Sequence, residues 1–386
     1  MKKVLLVFGT RPEAIKMAPL LIELKKNSAC FETKVCVTAQ HRKMLDQVLE
    51  VFEIVPDFDL NLMASDQDLF DITAKVLLGL RDVINRFTPD IILVHGDTTT
   101  SMAAALAAFY KKIKIGHVEA GLRTYKLESP WPEEMNRQVT DKLADFYFAP
   151  TEKAKSNLIN EGVPSDKILV SGNTVIDALY TAVNLLENNE ERKIQVINKI
   201  EDSGFPIRSS CFSQKRDFIL VTGHRRENFG EGFQNICMAL KTIAHKYSNI
   251  DIVYPVHLNP NVQEPVYTIL KNVPNLYLVP PMDYLPFVLL MKHSYLLLTD
   301  SGGVQEEAPS LGKPVLVMRD NTERPEGLAS GSVRLVGTKV HAIIDEIENL
   351  IMNTKLYREL AVVSKPYGNG HASEYIVRYL VEHIND

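Results

Sequence analysis

Short apolar runs alternate with amphipathic runs along the whole chain, and several apolar runs are continuous. Val4–Phe8 reads VLLVF, Ile91–His95 reads IILVH and Tyr295–Thr299 reads YLLLT. Continuous runs of this length fit parallel strands covered by helices on both faces, whereas half-exposed strands alternate. In the first half the pattern predicts strands at Val4–Phe8, Thr33–Thr38, Ile91–His95, Ile113–Val118 and Phe146–Ala149. Helices are expected between them at Ala14–Lys26, Leu69–Arg86, Thr99–Phe109 and Glu133–Leu143. After a polar helical stretch, Leu185–Asp202, and a loop, Ser203–Arg216, the pattern restarts. Strands are then expected at Phe218–Val221, Ile252–Tyr254, Leu276–Val279, Tyr295–Thr299 and Pro314–Val317. The helices between and after them fall at Gly232–Tyr247, Asn261–Lys271, Val304–Ser310 and Val340–Asn353. The fold class is α/β: two Rossmann-like, doubly wound parallel-sheet domains with a cleft between them. The boundary falls near residues 175–210, giving a first domain over 1–175 and a second over 176–369.

Bulk properties narrow this picture. A length of 386 residues suits two domains, and 45% hydrophobic with 24% charged content supports two full cores. The net charge of −5, without a basic tail, argues against nucleic acid as a partner. Cys30, Cys36, Cys211 and Cys237 form no C-x-x-C pair, as expected of reduced thiols in the cytoplasm. Lys2-Lys3 before Val4–Phe8 resembles a signal start, but the apolar run is too short for one, and no run approaches a membrane span.

Ligands of open α/β sheets sit beyond the carboxyl ends of strands, and the unusual residues of this chain follow strands. No G-x-G-x-x-G follows any of them, and Gly312-Lys313-Pro314 lacks the rest of a P-loop, so nicotinamide binding and ATP hydrolysis have no local support. Thr299–Pro325 reads TDSGGVQEEAPSLGKPVLVMRDNTERP. Its strand, its small-residue turn at Ser301, Gly302 and Gly303, and its helix start suit a phosphate. Glu306 and Glu307 suit sugar hydroxyls, so the segment reads as half of a nucleotide-sugar site.

Gly9-Thr10-Arg11-Pro12-Glu13 follows the first strand. Arg11 and Lys16 could both face an anion, although Lys16 also reads as a solvated helix residue. His95-Gly96-Asp97 and His117-Val118-Glu119 end neighbouring strands. They read as metal ligands or as an acid/base pair, and Asp97 alternatively as a helix N-cap. Glu133 opens a helix after Ser129-Pro130-Trp131-Pro132, which also suits ordinary helix-start acidity. His224, Arg225 and Arg226 follow a second-domain strand and suit a leaving diphosphate. His257 follows another, and Phe287 could stack on a base or sit in the core.

GTRPEAIKMAP, HGDTTT, HVEAGLRT, SPWPEEMNR, TGHRREN and SGGVQEEAPSLGKPVLVMRDNTERPE occur in this order along nearly the whole chain. Together they resemble the non-hydrolysing UDP-N-acetylglucosamine (UDP-GlcNAc) 2-epimerases of bacteria. The resemblance implies a GT-B fold, with the final helix, Ala372–Ile384 within 370–386, returning to the first domain. It implies a homodimer that uses a UDP-sugar substrate, no metal and no cofactor. The implied reaction inverts C2 to give UDP-N-acetylmannosamine (UDP-ManNAc), by anti elimination of UDP to 2-acetamidoglucal and re-addition, for cell-surface polysaccharide. A related UDP-acetamido sugar, or sugar transfer by a glycosyltransferase of the same fold, are the alternatives.

Carried over by position, the catalytic residues are Asp97, Glu119, Glu133 and His224. The UDP-sugar contacts are Arg11, Lys16, Phe287, Ser301, Gly302, Gly303, Glu307 and Arg324. An activator site for a second UDP-GlcNAc falls on Gln40, His41, Arg225 and His257. Met282 stands where glutamine is common, and Lys43 and Asp66 replace a polar and a basic residue of the activator site.

Overall fold

The computed structural model of the chain describes residues 1–38, 42–62, 67–213 and 216–385. Contacts divide it into two units, Met1–Tyr180 with Tyr367–Asp386, and Thr181–Pro366. The first is built on seven strands: β1 (Lys2–Phe8), β2 (Phe31–Val37), β3 (Phe58–Asp59), β4 (Ile91–His95), β5 (Lys114–Val118), β6 (Phe146–Ala149) and β7 (Ile168–Val170). Their order is β3-β2-β1-β4-β5-β6-β7, with every pairing parallel. Val4 to Phe8 are fully buried, so each side chain contributes roughly 1.5–3 kcal/mol of apolar burial. Leu5 and Val7 join a core with Val76, Leu80 and Ala104, from the helices Leu69–Phe87 and Thr99–Tyr110. The helix Arg11–Lys26 packs against the C-terminal helix Ala372–His383.

The second unit holds β8 (Phe218–Thr222), β9 (Asp251–Pro255), β10 (Leu276–Val279), β11 (Leu296–Thr299), β12 (Val315–Val317) and β13 (Val333–Leu335). Their order is β10-β9-β8-β11-β12-β13, again all parallel. Strand order reverses direction at β1/β4 in one sheet and at β8/β11 in the other. In open α/β sheets a switch point of this kind is where ligands bind, beyond the carboxyl ends of that sheet's strands.

Three strands fall outside the predicted set. β3, β7 and β13 are edge strands of two or three residues, too short to stand out as apolar runs. The helical stretch expected over Leu185–Asp202 is two helices, Thr174–Asn188 and Glu190–Asp202. Asn189 breaks it, its side chain capping Arg192 N–H. Among the described residues no helix is long and apolar enough to cross a membrane.

Candidate active site

In the first unit Asp97 and Glu119 sit in the turns after β4 and β5, while Arg11 and Lys16 lie on the helix after β1 and Glu133 opens a later helix. Thr10 caps the helix Arg11–Lys26, and Glu13 closes the capping box. Buried Glu13 does more than cap. Gly9 and Thr10 N–H donate to its Oε2 at 3.0 and 2.8 Å, while the Thr98 and Ser101 hydroxyls donate to Oε1 at 2.7 and 3.0 Å. One carboxylate thus ties the β1 turn, which leads into the helix carrying Arg11 and Lys16, to the β4 turn, which carries Asp97. Burial pushes its pKa up, and the four donors oppose that shift.

Asp97 is not the helix cap. That role belongs to Thr98, whose hydroxyl accepts from Ser101 N–H at 3.0 Å. The Asp97 carboxylate is left to meet Arg137, whose Nη2 lies 2.6 Å from Oδ2, while Asn136 Nδ2 holds the Asp97 carbonyl at 3.0 Å. Desolvation raises the Asp97 pKa against the pull of Arg137, and negative charge on Glu119 and Glu133 raises it further.

Glu119 lies just past β5 with φ +67° and pairs with Lys16. Lys16 is 12% exposed at its side chain and is therefore no solvated surface lysine. Asn173 Nδ2 donates to Glu119 Oε2 at 2.7 Å, and His95 Nε2 stands 3.8 Å from the same oxygen. Burial drives the His95 pKa down to about 3, so the ring is neutral, and its Nε2 is buried without a hydrogen-bond partner. Glu133 is the first residue of the helix Glu133–Leu143, half-buried and near enough to Asp97 to act on its charge. Trp131, beside it, is exposed.

The metal reading of His95, Asp97, His117 and Glu119 does not match what these side chains do. Fully buried His117 places Nδ1 2.6 Å from Asp141 Oδ1 and Nε2 2.8 Å from the Gly96 carbonyl, so neither nitrogen is open. Asp141 also takes Arg123 Nη2 at 2.7 Å. Desolvation would raise the Asp141 pKa, but His117 and Arg123 hold it below the ordinary range. This array pins the Gly96 backbone beneath Asp97. Buried Glu134 does the same for the loop after Glu119, accepting from Thr124 and Tyr125 N–H at 3.0 Å each.

In the second unit Asp300, at the end of β11 and fully buried, organises the β8 turn. It accepts from His224 N–H at 2.9 Å, Arg225 N–H at 2.9 Å and Asn228 Nδ2 at 3.2 Å. The His224 ring stacks on His257 with centroids 5.6 Å apart, and burial lowers its pKa, so it is mainly neutral near pH 7. Ser301, Gly302 and Gly303 follow Asp300 directly, with Ser301 at the N-cap of the helix Gly302–Glu307. A Cβ on Gly302 would come within 3.3 Å of the Arg324 guanidinium, which lies against the bare glycine. Glu306 holds that guanidinium, accepting from Nε at 2.9 Å, and Tyr284 OH donates to Glu307 Oε1 at 3.0 Å. Phe287 is half-buried on the helix Tyr284–His293, in reach of solvent rather than deep in the core.

Of the activator residues, Gln40 and His41 lie outside the described residues, as does Asp66. Arg225 points Nε to the Asp300 carbonyl at 3.3 Å, and exposed His257 accepts from Asn259 N–H at 3.1 Å. Five residues outside the expected set hold the candidate residues in place, Glu13, Arg137 and Asn173 in the first unit and Tyr284 and Asp300 in the second, while Glu306, expected to face sugar hydroxyls, is spent on Arg324. Position alone marks Asp300, which ends a strand at the switch point, whereas Asn173 follows an edge strand too short to register.

Comparison with known proteins places the chain among proteins of one family. A sequence model of the UDP-N-acetylglucosamine 2-epimerase family matches residues 23–381. The UDP-N-acetylglucosamine 2-epimerase of Yersinia pestis is 55% identical over 381 residues, 99% of each chain. That of Campylobacter jejuni is 54% identical over 385 residues, all of this chain and 99% of its own. The crystal structure of UDP-GlcNAc 2-epimerase from Neisseria meningitidis bound to UDP-GlcNAc superposes with a TM-score of 0.89 at 53% identity. It covers 99% of this chain and 100% of its own. The fold is of the GT-B type. Two parallel sheets with charged turns at both switch points, and full-length identity above one half, make this chain a member of the UDP-N-acetylglucosamine 2-epimerase family.

Proposed function

We propose that the chain interconverts UDP-GlcNAc and UDP-ManNAc by elimination and re-addition of UDP, without metal or cofactor. The observation that carries this reading is the trio Asp97, Glu119 and Glu133, three carboxylates in one unit, the latter two near enough to Asp97 to act on its charge. The C2 hydrogen of an N-acetylhexosamine is not next to a carbonyl, so direct removal needs a very strong base. Breaking the C1–O bond first solves the problem. The bonding pair leaves with UDP, C1 becomes oxocarbenium-like, and C2–H becomes acidic. A carboxylate takes that proton and the electrons of the C2–H bond close the C1–C2 double bond of 2-acetamidoglucal. Protonation of C2 on the opposite face, with UDP returning to C1, completes the inversion.

The side chains suit these steps. Glu119, beside Lys16 and Asn173, is placed to carry negative charge and take the proton. Asp97, with its raised pKa, is placed to hold one and deliver it, and the roles exchange in the reverse direction. In the second unit we assign His224, Ser301, Gly302, Gly303 and Arg324 to the leaving diphosphate, and Phe287 to the base. Fixed donors and charge there would stabilise the departing UDP without reorganisation. Arg11 adds positive charge in the first unit. Glu307 is assigned to the ribose hydroxyls, a positioning task. Replacing Glu307 with alanine should therefore raise KM by about tenfold to a hundredfold while kcat moves little, as steady-state kinetics would show.

We further propose a homodimer acting in the cytoplasm, with a second UDP-GlcNAc as activator beside His224. The stacking of His257 on His224 supports that site. Velocity should then rise sigmoidally with UDP-GlcNAc, and the reverse reaction should need added UDP-GlcNAc; hyperbolic curves in both directions would remove the activator.

Product analysis tests the main reading. With UDP-GlcNAc alone, the expected product is UDP-ManNAc at equilibrium, with UDP still attached. Free N-acetylmannosamine and UDP would mean a hydrolysing enzyme. Turnover only with an added acceptor would mean a glycosyltransferase.

A further inference from the structure

Asn173 lies outside every motif that carries the family resemblance, yet its amide reaches the carboxylate at the centre of the proposed chemistry. It follows β7 and is 3% exposed. Its Oδ1 accepts from Val175 N–H at 3.0 Å, which fixes the amide so that Nδ2 is the group facing Glu119 Oε2 at 2.7 Å. Its own N–H donates to the Tyr367 carbonyl at 2.7 Å. The chain leaves the first unit after Tyr180 and re-enters it at Tyr367, so this bond joins the outgoing and returning segments. The join is tight. Gly172 and Gly368 both have positive φ, +87° and +117°, and a Cβ on either would come within 3.1 Å of the other's Cα. Two backbone segments thus hold Asn173, and Asn173 holds Glu119.

We infer that Asn173 is a positioning residue of the epimerase reaction, orienting the Glu119 carboxylate from the joined outgoing and returning segments. The inference rests on the reading of Glu119 as a proton-transfer group. Other groups also face Glu119. Lys16 comes from the helix Arg11–Lys26, and His95 and Asp97 come from the end of β4 and its turn, with Arg137 and Glu133 next to Asp97. Among them Lys16 supplies charge, while Asn173 supplies a directed neutral donor from a fixed backbone. Losing that donor should misorient the carboxylate and raise its affinity for a proton.

Asn173→Asp separates this role from simple helix capping. Aspartate keeps an acceptor for Val175 N–H, and asparagine and aspartate cap equally well. What changes is that the donor to Glu119 becomes a second carboxylate. Expected are a kcat loss of about tenfold to a hundredfold, the scale of a hydrogen bond to a charged group, and an acid limb of the kcat–pH profile moved up by about one unit. KM should stay near the parent value, and Tm should fall by a few degrees near pH 7, because a raised carboxylate pKa in the folded state withdraws stability there. Asn173→Ser, which keeps an acceptor but adds no charge, should show the kcat loss with a smaller limb shift.

An unchanged kcat and acid limb in both variants overturns the inference, as does a kcat loss with an unmoved limb. Failure of both to fold makes Asn173 a structural cap and also overturns it. The parent enzyme is assayed first for exchange of the C2 hydrogen with solvent. Absence of exchange there sinks the epimerase reading itself, whereas exchange in the parent with unmoved variants sinks only the role of Asn173.

Discussion

Asp97→Asn is expected to lower kcat by about 10²–10⁴-fold with little change in KM, the usual scale for removing a general acid or base. Asparagine is nearly isosteric. It can keep a hydrogen bond to Arg137 through its carbonyl oxygen, and the backbone carbonyl stays on Asn136 Nδ2. What it cannot do is carry a transferable proton. The raised pKa of Asp97 gives the sign of the pH effect. Where Asp97 serves as acid, activity is present while it is protonated and falls as pH rises through its elevated value. The variant should lose that limb along with its turnover. Because Glu119 and Glu133 help raise that value, Glu133→Gln should lower the Asp97 limb as well as kcat. Steady-state kinetics across pH check both statements, and near-parent turnover of Asp97→Asn would remove Asp97 from the chemistry.

Asp300→Asn is expected to damage the second unit more than any substitution at a residue assigned to UDP. The carboxylate is fully buried and accepts from two backbone N–H groups and one side-chain amide. Asparagine can keep these three bonds, all made to Oδ2, on its carbonyl oxygen, but its NH2 then stands where Oδ1 shares the His224 N–H at 3.1 Å, and a neutral amide replaces the carboxylate as acceptor, at a cost of about 1–3 kcal/mol. At roughly 2–4 °C per kcal/mol for a unit of this size, Tm should fall by about 2–12 °C. The same bonds hold the His224 and Arg225 backbone, so UDP affinity should drop by tenfold or more even where the unit stays folded. Thermal melting and titration calorimetry with UDP read the two effects separately. A parent-like Tm together with parent-like UDP affinity would show that Asp300 does not organise the β8 turn.

The sequence makes the architecture largely legible because the central strands are buried on both faces and appear as unbroken apolar runs. Val4–Phe8, Ile91–His95 and Tyr295–Thr299 are of that kind. The edge strands Phe58–Asp59, Ile168–Val170 and Val333–Leu335 leave no such run, since two or three residues cannot be told from a loop. The candidate side chains stand out too, because charged residues directly after apolar strands are chemically out of place. The groups that hold them are much harder to read. Glu13 looks like a helix-start acid, and the capping box it forms is real, yet two further bonds reach Thr98 and Ser101 about ninety residues away. His117 shares an H-x-acid spacing with His95, but one ring is spent on Asp141 and Gly96 while the other has a bare Nε2 beside Glu119. Spacing is local information, and the difference between those two rings is set by chain that is distant in sequence.

The central claim is that the C2–H bond breaks and re-forms on the opposite face, and proton NMR of UDP-GlcNAc with the enzyme in heavy water tests it most directly. With no acceptor added, the account predicts that UDP-ManNAc appears and that the C2 proton signal is lost from both sugars as deuterium enters. UDP-ManNAc formed with its C2 proton retained, or no change in either signal at high enzyme concentration, would contradict it.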